Sequence, residues 1–280
     1  LRLSSIETGF FKLDGGAMFG IVPKTIWNRT NPSDSNNLCT WAMRSLLIED
    51  GERLILIDTG CGNKQGENFF KHYYLHGDAN LISSIRAKGY HENDVTDVLL
   101  THLHFDHVGG ATQYNADKTN IIPTFSNAIY HVAKNQYEWA MNPNKREKPS
   151  FLKENFEPLA QYGQLNLIDE TTTQFNQHIE LLHVNGHTEH MLIPIINYKD
   201  KKLAFMADLL PSVGHFPIPY IMSYDVRPLL SMKEKEDFLI RAKKENIILF
   251  FQHDPIHECC SILETEKGIR QDQVFVLDDF

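Results

Sequence analysis

Cysteine is scarce: Cys39, Cys61, Cys259 and Cys260 are the only four in 280 residues, and none lies in a Cys-x-x-Cys pair. A disulfide framework needs many closely spaced cysteines in a short chain, so that class is excluded and a reducing, cytoplasmic setting is the expectation. Long apolar runs are missing too. The longest span only a few residues, such as 247–251, where a membrane helix needs about 18 or more. Basic charge is in deficit: 27 Lys and Arg against 36 Asp and Glu leave a net charge of −9. Nothing in that balance supplies a basic face for nucleic acid or an anionic membrane, and neither is expected as a partner. No charged start, apolar run and small-residue cleavage site opens the sequence, so no secretory signal is expected. Linkers rich in Ser, Gly or Pro are absent, as are internal repeats, and one domain over 1–280 is predicted.

What is present is the composition of a folded domain, with 42% hydrophobic and 22% charged residues, which rules out disorder. Short β-branched and aliphatic runs predict strands at 45–48, 54–58, 95–101, 127–132, 164–168, 179–184, 192–197, 202–207 and 247–252. Asp50-Gly51 between the first two is a hairpin turn. Helices are predicted at 80–88, 134–141, 150–162 and 231–246. The last sets Met232, Phe238, Leu239 and Ala242 against a Lys/Glu face. Segments 28–37, 142–149 and 211–228 have loop composition. The order of elements predicts a mixed layout built on antiparallel sheets, in one two-sheet domain.

Histidine is abundant, at 14 residues, and its placement matters more than its number. The strand at 95–101 runs straight into His102-Leu-His104-Phe-Asp106-His107, followed by Gly109-Gly110. Side chains alternate along an extended segment, so His102 and His104 point the same way and can grip one ion. Asp106 and His107 follow where the chain turns, and can face a second. Three further donors each end a predicted strand: His187, Asp208 and His253. His102, His104 and His187 can hold the first ion, Asp106, His107 and His253 the second, with Asp208 between them. Imidazole and carboxylate without thiolate suit zinc in a site open for catalysis; iron, manganese and cobalt are chemically possible. His190, His215 and His257 are assigned no metal, His257 because Pro255 spoils an i,i+4 pair with His253. His215 is expected on a mobile loop, as a wall or solvent residue.

The run Thr-His-x-His-x-Asp-His-x-Gly-Gly, then Gly-His-Thr at 186–188, then Asp208 after a strand and a late His253, resembles the metallo-β-lactamase-fold hydrolases, as does Asp58-Thr-Gly60 upstream. The resemblance spans about residues 40–255. It implies an α+β fold, an αββα sandwich of two mixed sheets flanked by helices. It also implies two divalent ions, zinc foremost, and a metal-bound hydroxide that attacks a carbonyl or phosphorus centre. Asp58 is expected to support the metal loop, and Asp106 to relay a proton. Asp at 208 departs from the β-lactam-hydrolysing members and matches lactonases, glyoxalase II and ribonuclease Z. The acidic chain argues against RNA, and the pattern is most similar to the quorum-quenching N-acyl-homoserine lactonases. Those often carry a Tyr just after the bridging Asp, whereas Leu209-Leu210-Pro211 stands here; Tyr220, or Tyr224, on the following loop is the expected replacement. The catalytic set is therefore Asp106, Asp208 and Tyr220. The expected partner is a small-molecule substrate with an apolar acyl tail, walled by Phe10, Phe11, Phe19 and Trp27 and by 216–222, and the enzyme can be a homodimer. The alternatives are an aryl esterase, a phosphotriesterase, a glyoxalase II-like thioesterase, an iron-dependent oxygenase on the same fold, or a metal-holding scaffold without turnover.

Overall fold

Strands Ser45–Asp50 and Arg53–Ile57 form the hairpin signalled by Asp50-Gly51, with Gly51 at φ 64° turning the chain. The structure is a computed structural model describing residues 1–280. Its contacts fall into two compact units: Leu1–Gly9 with Met43–Thr172, and Phe10–Ala42 with Thr173–Phe280.

The first unit carries a six-stranded mixed sheet, ordered Arg2–Ile6, Ser45–Asp50, Arg53–Ile57, Asp97–Leu99, Ile129–Ala133, Leu165–Ile168. Its first three strands are antiparallel and its last four parallel. Parallel neighbours need crossovers, which is where helices Leu81–Ala87, Lys134–Met141 and Glu157–Gln161 lie. Leu81, Ile85, Ala140 and Leu159 from these helices join Leu56, Val98, Tyr130 and Val132 of the sheet in one buried core. Because Arg53–Ile57 and Asp97–Leu99 run parallel, the loops that follow them, with Asp58 and with His102 to His107, leave the same edge.

The second unit carries another six-stranded mixed sheet, Ile179–Val184, Met191–Tyr198, Lys201–Phe205, Ile247–Phe250, Cys259–Thr265, Gly268–Phe275. All neighbours are antiparallel except Lys201–Phe205 with Ile247–Phe250. Two antiparallel steps restore the direction, so Ile179–Val184, Lys201–Phe205 and Ile247–Phe250 all point the same way. The residues just beyond them, His187, Asp208 and His253, therefore emerge at one sheet edge. Helix Pro228–Glu245 opens with a proline in its first turn, where no amide donor is needed, and closes on Asn246 at φ 53°. Of the stripe the sequence predicts it buries Phe238, Leu239 and Ala242, while Met232 is half-buried.

The α+β class with two mixed sheets and flanking helices holds. Three expectations need correction. The predicted helix 150–162 is broken: Phe156 at φ −138° leaves the helical region, so a short 3-10 turn precedes Glu157–Gln161. Segment 142–149 is not simply an exposed loop, since Glu147 within it is 3% exposed. His215 is not on a wall open to solvent; it is buried, its ring stacked 4.3 Å from Phe19 at 7°. No helix is long and apolar enough to cross a membrane.

Candidate metal centre

In the first unit, four donors come from one stretch. His102 Nε2 and His104 Nδ1 face each other at 3.1 Å. The edge of a tetrahedron around zinc, with nitrogens at about 2.0–2.1 Å, is about 3.3 Å. Helix Phe105–Val108 begins directly after His104, placing Asp106 Oδ2 3.6 Å from His107 Nε2. The His102 and His107 rings lie 3.9 Å apart, centroid to centroid. The close turn depends on glycine: a Cβ on Gly109 would stand 2.0 Å from the Cys61 carbonyl oxygen.

Two of these rings, His102 and His107, have the outer nitrogen hydrogen-bonded. Asp58, fully buried and held at φ 57°, takes the Thr101 amide on Oδ1 at 2.8 Å. On Oδ2 it takes the Thr101 hydroxyl at 2.7 Å and His107 Nδ1 at 3.0 Å. Thr101 thus spends its single hydroxyl proton on Asp58, so its oxygen accepts from His102 Nδ1 at 3.1 Å. That bond makes Nε2 the ring nitrogen that carries the lone pair. Asp58 therefore supports two rings, one directly and one through Thr101, in the role the sequence gives it. His104 Nε2 lies 3.5 Å from Glu147 Oε1.

The second unit supplies the other donors. His187 Nε2 lies 3.0 Å from Asp208 Oδ2, and His253 Nε2 lies 3.0 Å from Asp208 Oδ1. The two carboxylate oxygens therefore serve different histidines. The outer nitrogens are again taken: His187 Nδ1 donates to Asp225 at 2.9 Å, and His253 Nδ1 to the Ala42 carbonyl at 2.8 Å. Ala207, at φ 41°, turns Asp208 out of the strand end. Burial depresses an imidazole, yet Asp208 and Asp225 together lift His187 to about 10. Anionic surroundings that hold a proton this firmly are suited to a cation in its place.

In each unit two imidazoles have a fixed outer nitrogen, His102 and His107 in the first and His187 and His253 in the second, and turn the inner nitrogen toward another donor, as metal binding requires. The residues of each unit fit divalent ions, with nitrogen and oxygen donors and no thiolate. The remaining histidines lie elsewhere. His257 donates its amide to Asp254, and His190 packs edge-on to His183 at 6.0 Å. His215 is tied at Nε2 to the Met18 carbonyl and at Nδ1 to Ser212, and burial holds it near 3, so it stays neutral. Tyr220 is half-buried, edge-on to Phe19 at 6.4 Å, with its carbonyl bonded to the buried Lys235 ammonium at 2.9 Å. Phe11, Phe19 and Trp27 are buried.

A second phenol is missing from the sequence reading. Tyr73 packs on Phe105, the residue between His104 and Asp106, at 4.7 Å, and Phe69 meets both rings. Burial, with Asp106 adding to it, pushes the Tyr73 hydroxyl up to about 12. The only sequence signal was the density of aromatics at 69–74.

This fold, with histidine and aspartate donors at the strand ends, defines a metal-dependent hydrolase. The sequence profile of the Metallo-beta-lactamase superfamily matches residues 44–253, and the chain belongs to that superfamily. It is 25% identical over 252 residues to an N-acyl homoserine lactonase of Bacillus cereus, covering 85% of this chain and 87% of the relative. Among solved structures it is similar to a probable metal-dependent hydrolase from Staphylococcus aureus, with a TM-score of 0.89, 25% identity and coverage of 98% and 96%. It is also similar to AidC, a dizinc quorum-quenching lactonase in complex with a product, with a TM-score of 0.78, 21% identity and coverage of 98% and 95%. At that identity the likeness to AidC speaks for the fold.

Proposed function

We propose that the two units act as one catalytic domain that hydrolyses N-acyl-homoserine lactones, or closely similar esters with an apolar acyl tail, at a dizinc centre. The observation that carries the reading is Asp208, whose two oxygens each face a different histidine in a chain related to lactonases. In this reading His102, His104 and His187 hold one ion and Asp106, His107 and His253 the other, with Asp208 shared. When bound, the pair of ions supplies a nucleophile at neutral pH and an electrophile for the carbonyl.

The chain's own residues do the rest. Asp58, Thr101, Asp225 and the Ala42 carbonyl hold the imidazoles in one tautomer each, so no reorganisation is needed during turnover. Asp106 receives or returns the proton that moves between water and leaving alkoxide. Phe69, Tyr73 and Phe105 offer an aromatic face beside Asp106 on which an acyl chain can lie and exclude water. Tyr220 is the phenol assigned to the substrate carbonyl, the part left open by Leu209 and Leu210.

The test compares kcat/KM of zinc-loaded protein for homoserine lactones of increasing acyl length, an aryl ester, a thioester, a phosphotriester and a cephalosporin. Lactones should lead, with activity rising with acyl length. A phosphotriester or cephalosporin favoured by about tenfold, or about 1.4 kcal/mol in transition-state binding, contradicts the lactonase assignment. Tyr220→Phe should lower kcat on the lactones; an unchanged kcat removes Tyr220 from the reaction.

A further inference from the structure

Glu147 has no part in the chemistry above, yet its carboxylate is 3% exposed in a segment rich in Lys, Arg and Asn. Burying an ionised carboxylate costs several kcal/mol unless it is paired. Oε2 accepts from the Trp139 indole at 2.8 Å and from the Asn144 amide at 2.5 Å. Both donors are neutral. Oε1 lies 3.5 Å from Nε2 of His104, the nitrogen opposite the one that faces His102.

The surrounding contacts tie this segment to the metal loop. The Ser150 amide donates to the Glu147 carbonyl at 2.8 Å, and the Phe105 amide to the Ser150 carbonyl at 3.0 Å. Leu103 donates its amide to Gln136 Oε1 at 3.3 Å, from helix Lys134–Met141. The His104 ring packs on Phe151 at 4.8 Å. Helix Lys134–Met141 and the turn after it thus clasp residues 103–105 by backbone and ring contacts, with one charged atom aimed at the ligand.

We propose that Glu147 is a positioning residue for metal binding, fixing the tautomer and direction of His104 from a segment whose composition suggests only a surface loop. An ion on Nδ1 draws electrons from the ring and leaves Nε2–H as a stronger donor, and Oε1 is the acceptor that meets it. At 3.5 Å the contact is longer than a good hydrogen bond, and metal loading should shorten it. The proposal rests on His104 being a metal ligand.

Glu147→Gln separates this role from simple packing. The amide oxygen still accepts from Trp139 and Asn144, but an NH2 group then faces Nε2–H. The experiment measures stepwise Zn2+ affinities by chelator competition and the 15N-detected ring signals of histidine, in wild type, Glu147→Gln and Glu147→Asp. Wild type should bind two ions. Glu147→Gln should keep the melting temperature of the metal-free protein, lose about ten- to hundredfold in one of the two affinities, and shift the His104 Nε2–H signal upfield. Glu147→Asp, with the charge retained, should recover part of that loss. If Glu147→Gln does not fold, Trp139→Phe stands in: it frees Oε2 from one donor, and a smaller loss at the same ion supports the proposal. Wild-type affinities and an unmoved His104 signal in the folded variant overturn it, as does an unchanged affinity in Trp139→Phe. A wild-type chain that binds no zinc overturns the metal reading itself.

Discussion

Asp208 concentrates more of the chemistry than any other side chain. Its two oxygens lie at 3.0 Å from two different histidines, so neutralising it touches both at once. Asp208→Asn should lower turnover by about a hundredfold or more while leaving substrate binding within a few-fold, since the anionic charge that would face the proposed pair of ions is lost. Steady-state kinetics on any accepted lactone measures the split, and an unchanged kcat rules out bridging. His253 and His257 make a sharper pair. The first ends strand Ile247–Phe250 with Nδ1 on the Ala42 carbonyl; the second sits past Pro255, its amide on Asp254. His253→Ala should lose one ion per chain and His257→Ala none, by elemental analysis, and the reverse pattern would show the ligand assignment to be wrong. The candidate donors were legible as residues because they follow apolar runs or lie in the dense His/Asp stretch 102–107. Their supports were not. Asp225 is 38 positions from His187, and Ala42 is 211 from His253, separations that no local pattern encodes.

At the scale of elements, the metal loop is held by close approach rather than by helix propensity. A Cβ on Gly109 would collide with the Cys61 carbonyl carbon at 2.3 Å as well as its oxygen, and both atoms are backbone that cannot swing aside. Gly109→Ala should therefore cost about 1–3 kcal/mol or more in urea unfolding and weaken metal binding with it. A stability within about 0.5 kcal/mol of wild type would contradict the packing described. The segment after Asp208 has a different dependence. His215 is neutral, stacked on Phe19 and bonded to Met18 and Ser212, with its titration held near 3, below the ordinary 6.5. Its contribution is present above about pH 6.5 and is lost as pH falls toward 3, because protonation must then occur in the unfolded chain first. His215→Asn should flatten that part of the pH–stability curve, as read by thermal unfolding between pH 7 and 4. Much of this level escaped the sequence. Strands Phe10–Asp14 and Leu38–Ala42 pair with each other across a segment that holds two short helices, Gly15–Phe19 and Lys24–Trp27, and Cys259–Thr265 with Gly268–Phe275 carry many polar residues, so alternation is weak there. The strands buried on both faces, such as Arg53–Ile57, were the visible ones.

For the whole molecule, the net charge of −9 bears on which substrates approach. A polyanion meets a repulsive field, whereas a neutral lactone does not, which agrees with the proposed substrate class. Metal should also be a stabilising ligand for the fold: donors on residues 102–107 and at 187, 208 and 253 come from segments far apart in sequence, and an ion that binds only their folded arrangement raises the melting temperature. Removing it with a chelator should lower that temperature, and zinc should restore it. The class of the fold and the candidate donors were legible in the sequence because strand ends and a dense His/Asp run mark them; the buried Glu147 was not, because its segment has the composition of a surface loop, and the aromatic face of Phe69 and Tyr73 showed only as a density of aromatics. The central claim is the pair of ions, and the metal-to-protein ratio of purified chain after zinc loading and removal of excess tests it most directly. Two zinc ions per chain is the expected result; a ratio that stays near one under saturating zinc contradicts it.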